Sequence, residues 1–222
     1  MRIRSLTMVA SVVAALAAGC GGGLKYRIDD GALDAVPAGD RQGVFAAQND
    51  LEVAKSEERT ADSQLEAWKR DRDIAVAERD QANLEIEKAN AAQESAIQQR
   101  NENLANAAHH NREAADLGVK VAEQKLEWLD DKKDWLKATR DAAEAHVAAA
   151  QAKVEFEKAK LAQQKGIKPD GDFSVGNYED QWKDRDEDWQ SAKKKAASAE
   201  KDAKSSEKKW QDLAAAHQKM KG

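Results

Sequence analysis

The chain has 222 residues, of which 35% are charged, 41% hydrophobic and only 5% aromatic, with a mean hydropathy of −0.83 and a formal net charge of −5 at pH 7. Much of the apolar fraction is alanine, so the mixture suits long helices joined along a thin seam and excludes an ordinary globular core. The acidic balance speaks against nucleic acid as a partner, because phosphate binding needs a basic footprint.

The first segment, MRIRSLTMVASVVAALAAGCGGG, combines Arg2 and Arg4, a charge-free run from Leu6 to Ala18, and small residues ahead of Cys20. Those are the three marks of a secretory leader. The run is too short to cross a bilayer, which takes about 20 apolar residues. Its end, LAAGC, resembles the lipobox of bacterial lipoproteins, with Ala17 standing where that family favours leucine. The resemblance implies cleavage between Gly19 and Cys20, a diacylglyceryl thioether on Cys20, and acylation of the new amine by a fatty acid such as palmitate. It would account for the only cysteine in the chain. In Gram-negative sorting of that family, Gly21 in place of aspartate implies the periplasmic face of the outer membrane. An ordinary leader that leaves a free thiol is the alternative. Residues 1–19 are therefore expected as a signal peptide and 20–39 as a flexible tether, interrupted by Gly31, Pro37 and Gly39.

Between Val44 and Lys165 lie 122 residues with no proline and one glycine, Gly118. Such an absence predicts helix over 40–165, starting at Asp40 as N-cap. It ends with Lys158, Lys160 and Lys165 in the last turns, Gly166 just past the helix, and then Pro169. Asn103, Asn106, Asn111 and Gly118 mark 103–118 as the place for a kink or a reversal; without a Pro-Gly turn signal, a continuous or kinked helix is expected. A loop over 166–177 and a return helix over 178–222, capped by Asn177, complete the chain. The expected fold is all-α, an elongated antiparallel coiled coil or long helical hairpin, with a three-helix bundle reversing near 103–118 as the alternative.

Leu129, Leu136, Val147, Val154 and Leu161 belong to heptad stripes over 115–161, alongside the parallel stripe Val121, Trp128, Trp135, Ala142, Ala149 and Phe156. An apolar face that wide calls for a further layer of contact. Trp182, Trp189, Ala196, Ala203 and Trp210 repeat every seven residues in the return helix. The expected packing seam is Leu129, Leu136, Val147, Val154, Leu161, Trp182, Trp189 and Trp210, with Trp182 facing Leu161, Trp189 facing Val154 and Ala196 facing Val147. Before residue 115 the stripe weakens, with Arg72, Arg79 and Gln93 at core positions, so this part is expected to pair with another copy or another helical protein.

No catalytic constellation, phosphate loop or concave pocket is legible, so no catalytic residue and no cofactor is expected. Asp170, Asp172 and Ser174 stand like ligands 1, 3 and 5 of a calcium loop, but Val175 and Gln181 replace the required glycine and glutamate. His109 and His110 are adjacent, and so diverge by about 100° on a helix, while His146 and His217 are isolated. No metal site is expected. The reading that results is a lipid-anchored, non-catalytic coiled-coil scaffold of the bacterial cell envelope, with membrane lipid as partner through acylated Cys20. Two alternatives remain. One is a murein-lipoprotein-like tether to peptidoglycan, a family that ends in lysine, whereas here Lys221 precedes Gly222. The other is an accessory subunit of an export or efflux assembly, on a loose similarity of AAAQAKVEFEKAKLAQQKG to adaptor hairpins.

Overall fold

A computed structural model describes residues 23–169 and 173–221. Three long helices carry the fold: α1 over Gln42–Gln98 (57 residues), α2 over Glu102–Gln164 (63 residues) and α3 over Val175–Lys221 (47 residues). No strand occurs among the described residues. At 1.5 Å per residue α1 and α2 are about 85 and 95 Å long. Both α1 and α3 pack along α2, and hardly on each other.

The continuous helix expected over 40–165 is broken at 99–101, just ahead of the 103–118 stretch. Arg100 takes φ 52°, and the N–H groups of Arg100 and Asn101 return to the carbonyls of Ile97 and Ala96 at 3.0 and 3.2 Å. Asn101 then caps α2 at once, its Oδ1 accepting from the Leu104 N–H at 3.1 Å. Three residues therefore satisfy both helix ends without a glycine. Gly118, expected as a kink, sits inside α2, where a Cβ would come within 3.2 Å of the His217 ring on α3. Its role is to let that ring approach.

Other ends shift by less. Ala38–Arg41 forms a single 3₁₀ turn and α1 begins at Gln42; Asp40 is no cap but meets Lys165 at 2.7 Å, tying the start of α1 to the end of α2. Gly166 ends α2 as the sequence predicts: φ is +67°, and the N–H groups of Gly166 and Ile167 reach the carbonyls of Gln163 and Ala162. α3 starts at Val175, so Asn177 lies within it rather than capping it.

Two stripes of α2 serve two partners. Ala115, Ala122, Leu129, Leu136, Ala143 and Ala150 are buried, and against them lies a heptad stripe of α1: Ala47, Ala54, Ala61, Trp68, Ala75, Ala89 and Ala96. α1 thus finds its partner within the chain. Alanine on both sides lets the helices approach closely, and Trp68, Leu129 and Leu136 fill the middle, with Leu65 and Leu126 against them. Arg72, which the sequence places in the core, is exposed beside Asp130 at 3.8 Å.

The second stripe faces α3, five residues away from the expected register. Phe156 stacks on Trp182 at 5.4 Å and Trp128 on Trp210 at 4.9 Å, pairs whose numbers add to 338 rather than 343. Trp182 therefore does not face Leu161, which joins a cluster with Ile28, Leu33, Val36 and Val44. Trp189 meets the His146 ring at 4.0 Å rather than Val154, and Ala196 shares a cavity wall with Ala142 rather than facing Val147. A seven-residue repeat fixes the spacing within each stripe but not which of the two α2 stripes faces α3, so periodicity alone leaves the register open.

Candidate functional site

The segment expected as a tether is packed from Tyr26 onward against the shared end of the three helices. Tyr26 exchanges two hydrogen bonds with Gln181, its N–H donating to Oε1 at 2.9 Å and its carbonyl accepting from Nε2 at 3.1 Å. Ile28 is held more deeply. Its N–H donates to Glu155 Oε2 at 2.7 Å, and Lys158 Nζ, 2.9 Å from the other Glu155 oxygen, reaches the Ile28 carbonyl at 3.4 Å. Glu155 and Lys158 are both buried, which is tolerable only because each is paired and hydrogen-bonded. Burial, with the Glu155 carboxylate as second cause, pushes the Tyr178 hydroxyl's pKa up, and that hydroxyl donates to the Arg27 carbonyl at 3.3 Å. Ile28, Leu33 and Val36 fill the gap over Val44, Leu161 and Tyr178. The irregular spacing of these apolar residues hides them in the sequence; only tertiary contact makes them core.

Along the rod, charge and aromatic rings set the alignment. Asp50 with Lys153, Glu57 with His146, Asp71 with Lys132 and Glu78 with Lys125 pair acids of α1 with bases of α2 at steps of seven or fourteen. Exposed pairs add little stability, but a heptad ladder of one polarity selects partner and register. His146 lies where all three helices meet, Nδ1 2.7 Å from Glu57 Oε2 and the ring stacked within 4° on Trp189. Beside it the wide α1 to α3 edge leaves a trough of about 770 Å³, lined from α1 by Val53 and Ala61, from α2 by Trp135 and Ala142, and from α3 by Trp189 and Ala196. The seven-residue spacing of Asp50, Glu57, Asp71 and Glu78 is a signal that could have found the ladder, although it went unread; the trough leaves none, because it needs three faces at once.

Of the expected seam, Leu129, Leu136, Val154 and Leu161 are buried, whereas Val147, Trp182, Trp189 and Trp210 are half-buried. The first pair faces α1 and the tryptophans belong to the α2 to α3 interface. Gly19, Cys20, Asp170 and Asp172 lie outside the described residues. Among the described residues no group of three His, Cys, Asp or Glu could hold a metal ion, and no helix is long and apolar enough to cross a membrane. No protein-family model matches the chain, and neither does any curated protein or solved structure.

Proposed function

We propose that the protein is a lipid-anchored, non-catalytic spacer or scaffold of the bacterial cell envelope, held by an acylated Cys20 on the periplasmic face of the outer membrane. The observation that carries this reading is the docked strap: the chain is packed from Tyr26, six residues after Cys20, so the anchor lies within about 20 Å of the bundle's base. A rod held near its base presents its far end, the 99–101 turn, about 85 to 95 Å from that base. A fatty-acid analogue should label the wild type and leave Cys20→Ser unlabelled, with the protein leaving the membrane fraction. Equal labelling of the two would end the reading.

The far end favours a second, narrower role as an accessory subunit that docks by its tip. Lys221 of α3 meets Glu85 of α1 at 3.6 Å, and beyond that pair the last turns of α1 and the first of α2 lead into the 99–101 turn. That stretch carries exposed Ile97 and Leu104. Replacing both by serine should abolish co-purification of a partner without changing helicity if the tip is the docking end.

A further inference from the structure

The trough between α1 and α3 exists because small residues meet on all three helices. Between the aromatic pairs of the α2 to α3 interface, Ala142 and Ala196 line the same hollow, and α1 contributes Ala61 rather than a large side chain. The volume, about 770 Å³, falls in the range of roughly 300 to 1,000 Å³ typical of small-molecule sites. On the α1 wall it runs from Val53 to Gln64, about 16 Å along the axis.

Three details define what it accepts. Trp135 lines the trough and, among the described residues, its ring has no aromatic, cationic or hydrogen-bonding partner. An indole without such a partner offers its face as a contact surface for a hydrocarbon. Two acids on the walls are partnered: Glu57 is hydrogen-bonded to His146 at 2.7 Å, and Glu200 pairs with Lys204 at 2.7 Å. Lys193 is not; its ammonium lies 4.7 Å over the Trp189 ring, without an ion pair among the described residues. Glu57, His146 and Trp189 link the three helices within the trough, and Glu85 with Lys221 joins α1 to α3 further along.

We infer that this trough binds a single-chain anionic amphiphile, its hydrocarbon lying on the alanine floor between Trp135 and Trp189 and its carboxylate or phosphate paired with Lys193. A floor of about 16 Å matches an extended chain of about twelve carbons. The inference is independent of how the chain is anchored, since the trough is built from residues of α1, α2 and α3 alone.

The test uses the full mature chain as Cys20→Ser, with octanoate, decanoate, dodecanoate, tetradecanoate, dodecyl phosphate and neutral dodecanol, each below its micellar concentration. Binding is followed by tryptophan fluorescence and calorimetry. Affinity should rise about fourfold per methylene up to dodecanoate and then level off. Lys193→Gln should weaken dodecanoate and dodecyl phosphate about tenfold and leave dodecanol unchanged, and tighter binding of one anion identifies which head group the site reads. Ala196→Leu should abolish binding with helicity intact. No saturable binding, affinity indifferent to chain length, or an Ala196→Leu variant that binds like its parent would overturn the inference. So would a concentration-dependent dimer that Ala196→Leu disrupts, which would assign the trough to a second copy.

Discussion

The indole Nε1 of Trp68 donates to the backbone carbonyl of Leu129 at 2.7 Å, crossing from α1 to α2 at the middle of both helices. That bond fixes which turn of α1 lies against which turn of α2 in a stretch where the neighbouring core positions are mostly alanine and interchangeable. Lys133 adds its ammonium 5.3 Å from the same ring.

Trp68→Ala should therefore lower stability by about 3 to 5 kcal/mol, as large-to-small changes of buried aromatics do. Trp68→Phe keeps most of the packing and loses the bond, at about 1 kcal/mol. Urea denaturation measures both, and equal losses would mean that the hydrogen bond, not the packing, dominates.

A double-mutant cycle on Trp128 and Trp210 reads the other interface. Their rings stack within 2° at 4.9 Å, so the coupling should be about 0.5 to 1.5 kcal/mol. The cycle on Trp189 and Val154 should give a coupling near zero, because Trp189 rests on His146. The reverse pattern would restore the slipped register.

What was legible in the sequence is what is local or periodic. Gly166 and the lysines before it mark the end of α2 because a left-handed residue there favours glycine, and the width of the α2 apolar face calls for more than one partner helix. Asn101 went unread because a turn that uses Arg100 at positive φ carries no glycine signal. On α1 the seven-residue spacing of Ala54, Ala61, Trp68, Ala75 and Ala89 marks the buried stripe, although alanine is a weak hydrophobic signal and the intervening positions Arg72, Arg79 and Gln93 obscure it. Tyr26, Ile28, Leu33 and Val36 have no period at all and become core only when α2 and α3 come together beneath them. The trough is legible least of all, since it is a space rather than a residue pattern.

Arg100 is held at φ 52°, a conformation that costs an L-residue about 1 to 2 kcal/mol and glycine almost nothing. Arg100→Gly should raise the unfolding free energy by up to about 1 kcal/mol, some of the gain being lost to the greater freedom of glycine in the unfolded chain. Asn101→Ala should lower it by about 1 kcal/mol by removing the cap on Leu104. A destabilised Arg100→Gly would place the reversal elsewhere.

Glu155 is the pin of the strap, accepting the Ile28 N–H while paired with Lys158. Glu155→Ala removes the acceptor of the buried Ile28 N–H and one partner of the Lys158 ammonium, and should cost about 1 to 3 kcal/mol, felt first where the strap is docked. Limited trypsin digestion should then cut after Lys25 and Arg27 many times faster than in the parent chain. Unchanged cleavage would show that apolar contacts alone hold the strap.

The same knot makes stability depend on alkaline pH through Tyr178. Burial, then the neighbouring Glu155 carboxylate, disfavours the phenolate in the folded chain and raises the pKa above its ordinary value of about 10. In the unfolded chain the hydroxyl loses its proton at the ordinary value, so above about pH 10 the unfolded state binds fewer protons than the folded one. The contribution is fully present below that pH and is lost as pH rises through the folded pKa. Urea midpoints measured from pH 9 upward should fall across this window in the parent chain. In Tyr178→Phe the fall should be shallower, from a starting stability lowered by the lost bond to the Arg27 carbonyl. Glu155→Gln should shrink the slope without abolishing it, since burial is the larger cause. A Tyr178→Phe variant with the parent's slope would mean that the phenol is solvated and the strap does not close over it.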